Sequence, residues 1–111
     1  MNDRFNQGVA FFNSGRFFDA HEAWEDTWRE SSEPERQWLQ GLVQVAVALH
    51  HESIGNRLGA KSVLARAAAN LGGAPREFLA LDFTGFREDV DRSRRELEAG
   101  EPLTRFTIRH L

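Results

Sequence analysis

The stretch that most constrains this chain runs from Pro34 to Ser53, PERQWLQGLVQVAVALHHES. Helical spacing puts Leu39, Leu42, Val43, Val45, Ala46, Val47 and Leu49 around most of its circumference. A helix that is apolar on all sides must be covered on all sides. At 1.5 Å per residue such a helix extends roughly 30 Å, about the width of a small domain. The rest of the chain therefore has to wrap this segment, and a second subunit is a further source of cover. The run does not suit a bilayer. Its longest apolar stretch, Leu42 to Leu49, contains Gln44, and a membrane span needs about 20 residues.

The segments on either side also carry the helical period. A first helix is expected from about Asp3 to Asn13, with Phe5, Val9, Phe11 and Phe12 inward, capped by Asn2 or Asp3 and ended by Ser14-Gly15. A second starts near Phe17 to Asp19 and reaches about Arg29. Ser31-Ser32-Glu33-Pro34 interrupts the chain and puts Pro34 at the first position of the central helix. Ile54-Gly55-Asn56 is a turn, with Asn56 a natural cap. The fourth helix is expected from about Asn56 to Leu71, with Leu58, Val63, Leu64, Ala67, Ala68 and Leu71 inward and Lys61, Arg66 and Asn70 outward.

Gly72-Gly73-Ala74-Pro75 ends that helix, and Arg76 to Leu81 is predicted as a helical turn. The last helix starts near Asp82 or Thr84 and stops before Gly100, burying Phe86, Val90, Ser93 and Leu97. In the tail, residues 100–111, Leu103, Phe106, Ile108 and Leu111 pack across the bundle or onto a partner chain, and His110 is expected to be exposed. With 111 residues, the chain reads as one all-α domain, residues 1–111. It is an antiparallel bundle of about five helices around a central buried helix.

Composition narrows the function classes. There is no cysteine, which excludes disulfides, iron–sulfur clusters and zinc–thiolate sites and fits a cytoplasmic location. The N-terminus lacks the basic-then-apolar pattern of a signal peptide. The net charge of −3 comes from interspersed acids and bases, which argues against a nucleic-acid partner held by bulk charge. Leu71-Gly72-Gly73 closes a helix instead of opening one, so it is no phosphate loop. No Ser–His–Asp order stands out.

The polar residues that sit oddly are on the second and third helices. Residues 17–28, FFDAHEAWEDTW, contain H-E-x-x-E. Helical H-E-x-x-H would be a zinc-protease signature; here the second histidine is Glu25. On a helical wheel Phe17, Ala20, Trp24 and Trp28 form an apolar arc, with His21 and Glu25 one turn apart at its rim. Glu22, Asp26 and Arg29 face water. A carboxylate in that position holds one imidazole nitrogen and leaves the other for a ligand, a partner group or a metal. Counting outward from the connecting loop sets His21 and Glu25 opposite Leu39 to Gln44. The wheel puts Gln40, Gln44 and His51 on one face and His50 on the adjacent one. Trp38 reads as a core or interface anchor.

Three readings follow. The cluster of His21, Glu25, Gln40 and Gln44 is a satisfied structural network. Or it is a pocket for a small molecule or peptide end, lined by His21, Glu25, Trp24, Trp28, Gln40, Gln44 and His50. Or it is a divalent-metal or acid–base site built from His21, Glu22, Glu25, His50 and His51. The function expected first is a non-enzymatic binding or interaction module without a cofactor, in a chain that forms a homo-oligomer. The alternative is a metal-dependent or acid–base hydrolase that uses the H-E-x-x-E helix.

The motifs also form a recognisable series: Gly15-Arg16-Phe17, then His21, Glu22, Glu25 and Trp28, then Leu39-Gln40-Gly41, Ala48-Leu49-His50 and Gly55. Taken together over residues 11–60, this series resembles the bacterial and archaeal family known as domain of unknown function 309. The resemblance implies an all-helical bundle and no established activity. It also implies that His50, rather than His51, is the companion of His21. The first hairpin is in addition similar to a tetratricopeptide unit through Gly8, Phe11, Gly15, Phe17, Ala20 and Trp24. The pattern does not recur about 34 residues later, where Leu42, Val45 and Leu58 form a stripe, and stacked arrays need at least three repeats.

Overall fold

The computed structural model describes residues 3–111, so the expected cap at Asn2 lies outside the described residues. Five helices follow in order: α1 (Asp3–Asn13), α2 (Phe17–Arg29), α3 (Glu35–Ser53), α4 (Arg57–Leu71) and α5 (Phe83–Ala99). Between α4 and α5 lies a two-stranded antiparallel hairpin, β1 (Glu77–Phe78) and β2 (Leu81–Asp82).

Consecutive helices run antiparallel, as shown by which residues meet. Trp24 of α2 donates to the Phe5 carbonyl of α1 at 3.1 Å, and Phe12 and Phe17 meet edge-on near the connecting turn. Arg36 lies over Trp28 at the start of α3, and His50 meets Phe18 near its end. Asn70 of α4 donates to Gln44 of α3 at 2.8 Å, and Lys61 pairs with Glu98 of α5 at 3.2 Å. The α3 helix is the central element. Leu39, Leu42, Val43, Val45, Ala46, Ala48 and Leu49 are all buried, as an apolar circumference demands.

Two glycines set how closely these helices approach. A Cβ on Gly8 would lie 2.4 Å from Trp24 Nε1, so the absence of a side chain on α1 is what admits the indole into the core. A Cβ on Gly41 would lie 2.7 Å from Leu71 Cγ and 3.2 Å from the Ala67 carbonyl oxygen, so Gly41 allows α4 onto α3. The core extends from the buried face of α4 (Ala60, Leu64, Ala67, Leu71) through Phe83, Phe86, Val90 and Leu97 of α5.

Most expected boundaries hold. The central helix starts at Glu35, one residue later than expected, with Pro34 as its cap residue and the Glu33 carboxylate accepting from Gln37 N–H. Asn56 and Asp82 cap α4 and α5 by accepting from Gly59 and Gly85 N–H, each at 2.9 Å. Three expectations fail. The expected helical turn over Arg76 to Leu81 is the hairpin. Leu79 and Ala80 form its two-residue turn with φ of 53° and 63°, the left-handed pair that matches strand twist. Neither residue advertises that conformation, and the buried Phe78 and Leu81 are spaced i, i+3, which a helical turn would equally give. Leu58 is 81% exposed rather than inward, because it sits two residues, about 200°, from the buried Ala60. Asn70 is half-buried rather than outward, because it meets Gln44.

The tail packs across the bundle. Ile108 is buried, and the Asn13 amide clamps its backbone on both sides, donating to the carbonyl at 2.9 Å and accepting from the N–H at 2.8 Å. Leu103 and Phe106 pack partly into the core, whereas Leu111 is exposed. The chain end also runs beside the hairpin: Leu81 bridges His110, and Asp82 N–H donates to the Arg109 carbonyl at 2.8 Å. The His110 side chain is exposed, as expected.

Candidate functional site

The candidate site lies along the α2–α3 seam. On α2, Phe18, His21, Glu25 and Trp28 are spaced i, i+3, i+7 and i+10, which puts them on one stripe. On α3, Arg36, Val43 and His50 recur every seven residues and likewise share a face. The two stripes meet at both ends. The Arg36 guanidinium lies 4.3 Å from the Trp28 ring centroid, and the Phe18 ring lies 5.6 Å from His50.

His21 is the centre of this seam. Its Nε2 is 3.3 Å from Glu25 Oε2. The contact is an ion-pair distance that orients the ring; a neutral ring with its proton on Nε2 is the tautomer that suits the carboxylate, and in that tautomer Nδ1 is an acceptor. Nδ1 is buried and has no hydrogen-bond partner among the described residues. The residue that α3 presents between Arg36 and His50 is Val43, which has no polar group to offer. Glu25 is also tied to Arg29 at 3.5 Å, so the carboxylate that orients the imidazole is itself held. Phe18 packs against His21 at 5.6 Å and is 52% exposed. It therefore stands between two imidazoles with half its surface in water. At the other end of the stripe, Trp28 Nε1 is a buried donor without a partner among the described residues.

Not every expected residue joins this seam. Trp24 is fully buried, and its N–H is taken by the Phe5 carbonyl, so it is a core residue and lines no pocket. Gln40 is exposed, and Gln44 is bound by Asn70 of α4. Among the described residues no hydrogen bond joins either glutamine to His21 or Glu25. The reason is phase: the glutamines lie on the side of α3 turned towards α4 and water, while Val43 and His50 face α2. His51 goes with the glutamines and meets Asn56 at 3.3 Å. So His50 faces α2, as the resemblance implied and the wheel did not. Glu22 is exposed, away from the seam. Among the described residues no three His, Asp or Glu side chains are grouped to hold a metal ion. The set His21, Glu22, Glu25, His50 and His51 thus does not converge.

Two residues of the seam were not foreseen. Phe18 sits one turn before His21, and that i, i+3 spacing was the available signal. Arg36 had no local signal, since its place over Trp28 depends on how α3 docks.

The comparisons with known proteins bear on this region. The family model described as domain of unknown function, DUF309, matches residues 5–63. The chain belongs to this family. The match covers α1, α2, α3 and the first part of α4, and so contains the whole seam. An uncharacterised protein of Aquifex aeolicus is 27% identical over 92 residues, covering 82% of this chain and 28% of its own length. The uncharacterised protein YpuF of Bacillus subtilis is 36% identical over 61 residues, covering 53% of this chain and 34% of its own length. The DUF309 chain thus spans about a third or less of the curated relatives it matches. Among its described residues no helix is long and apolar enough to cross a membrane.

Proposed function

We propose that this DUF309 chain is a non-enzymatic binding module of the cytoplasm whose recognition site is the α2–α3 seam around His21. The observation that carries this reading is the orphaned His21 Nδ1, in a ring already oriented by Glu25 and packed against the half-exposed Phe18. A buried acceptor without a partner costs roughly 1–3 kcal/mol, and a ligand that brings a donor to it removes that cost. The chemistry points to a small molecule or peptide side chain with an N–H or O–H donor beside an apolar or aromatic body. The donor would bond Nδ1, and the body would lie against Phe18 and His50.

The rival reading, an acid–base hydrolase, draws on the same pair, because a carboxylate-held imidazole is also a general base. The donor set does not fit a metal-dependent version, since its members do not converge. The test is amide and imidazole NMR of the full chain against a library of donor-bearing aromatic fragments and short peptides. Binding is expected to shift Phe18, His21 and His50, and to be lost in Phe18→Ala and His21→Leu while both variants stay folded. Stoichiometric divalent metal that disappears in His21→Ala, or pH-dependent ester or amide turnover abolished by Glu25→Gln, would overturn the reading in favour of the hydrolase.

A further inference from the structure

A second opening lies away from that seam. A groove of about 880 Å³ lies between α4 and α5, lined by Leu58, Ser62 and Ala65 on one side and Arg94, Leu97 and Glu98 on the other. Lys61 also stands on the α4 side and reaches across to Glu98 of α5 at 3.2 Å. Among its lining residues Leu58 is 81% exposed. A projecting leucine and an empty apolar groove therefore belong to one patch.

A two-fold interface needs this combination, because the same surface must supply both the knob and the hole. The charges along α5 fit a two-fold pairing only at one register. Asp91, Arg94, Arg95 and Glu98 are exposed and spaced i, i+3, i+4 and i+7, so they form one stripe reading acid, base, base, acid. Reversed, the stripe reads the same. An antiparallel copy centred between Arg94 and Arg95 would set acid on acid and base on base. An offset of about half a turn instead pairs Arg95 with Glu98 of the partner subunit, and by symmetry Glu98 with Arg95 of the partner subunit. Among the described residues neither Arg94 nor Arg95 makes an ion pair or hydrogen bond, whereas Glu98 already holds Lys61 of its own chain at 3.2 Å.

We propose that two copies of this chain pair about a two-fold axis through the α4–α5 groove, each inserting its Leu58 into the groove of the other. The apolar insertion supplies the affinity, because exposed ion pairs contribute little; the charge stripe selects the register. This interface lies on the opposite flank of the α3–α4 pair from the His21 seam, so the dimer leaves that seam open.

Sedimentation equilibrium of the full chain over a wide concentration range tests the proposal. The expected mass at high concentration is twice the 12.7 kDa of one chain. Leu58→Asp and Ala65→Arg change exposed residues, so both variants should fold, and each should weaken association by at least about tenfold. Arg95→Glu and Glu98→Arg should each weaken it, and the double variant should restore it. A chain that stays monomeric throughout would overturn the proposal, and so would a dimer indifferent to Leu58→Asp. If the monomer instead takes up dodecanoate, with shifts at Ala65 and Leu97, the groove belongs to a small anionic amphiphile and the pairing is overturned.

Discussion

The two seams that flank the α3–α4 pair solve the same packing problem differently. Between α2 and α3 large rings and titratable groups meet: Trp28 with Arg36, Phe18 with His50, and His21 held by Glu25. Between α4 and α5 small residues face charged ones, and the helices part to leave a groove. The first seam is closed but chemically incomplete, with an imidazole nitrogen and an indole N–H unpaired. The second is open and its walls lack cover. An unpaired polar atom asks for a ligand with a matching group. An apolar groove asks for volume and area. The two sites therefore suit different kinds of partner.

The largest expected effect separates core from seam on a single helix. Trp24 and Trp28 are one turn apart, but only Trp24 is fully buried with its N–H bonded. Trp24→Ala should destabilise the chain by about 3–5 kcal/mol. Trp28→Ala should cost clearly less, since its ring is half-exposed beneath Arg36. Urea unfolding with matched m values measures both. Equal losses would erase the distinction between the core and the α2–α3 seam.

The next comparison sets the tight α3–α4 contact against the open α4–α5 one. Gly41→Ala drives a methyl into Leu71 and the Ala67 carbonyl, and should cost about 1–3 kcal/mol. Ala65→Leu, which adds more atoms but adds them in the groove, should change stability by no more than about 0.5 kcal/mol in the monomer. A large loss at Ala65 would mean that α4 and α5 close together in solution.

A smaller effect decides what the orphaned nitrogen is for. If His21 served mainly to hold the fold, replacing it would be costly. The unpartnered Nδ1 contributes no such bond, the part-exposed contact of Nε2 with Glu25 contributes little, and an apolar residue of similar size can be nearly neutral. His21→Leu is therefore expected to shift stability by less than about 1 kcal/mol while abolishing ligand binding. A loss above about 2 kcal/mol would return the seam to a structural role.

How far the sequence reached follows the same division. Helix ends were legible because local chemistry sets them: Gly15 and Gly100 have positive φ at two helix ends, and Asn56 and Asp82 cap two starts. The His21–Glu25 pair was legible because i, i+4 spacing within one helix fixes it. The glutamines were misplaced because their partner depends on the rotation of α3 about its axis. A wheel gives relative angles on one helix but not which neighbour each angle faces. Gly41 fixes that rotation by admitting Leu71, and this is a tertiary fact. The hairpin was missed because Leu79 and Ala80 adopt a left-handed turn that neither residue favours. Leu58 was misread for a simpler reason, since its distance from Ala60 already placed it on the far face.

The smallest effect concerns the tail that binds α5 beside the open seam. Glu96 accepts from both the Thr104 hydroxyl and the Thr104 N–H, and these two bonds hold its carboxyl below the usual carboxylate range, with Arg92 and Arg95 adding to the effect. Since the folded value is the lower one, the contribution is complete above the unfolded carboxylate value and is lost as pH falls through the lowered one. Thr104→Val removes the hydroxyl bond, so its destabilisation relative to the wild type should be present at neutral pH and should shrink as the solution is acidified through the carboxylate range. Because Glu96 is exposed, added salt should mute the part due to the arginines but not the part due to Thr104, whose bonds are short-ranged. Thermal midpoints of the two chains, measured in parallel across that range at low and high salt, check both statements. A difference that does not change with pH would show that Thr104 acts through packing of the tail, and that the bonds to Glu96 contribute nothing to holding the tail on α5.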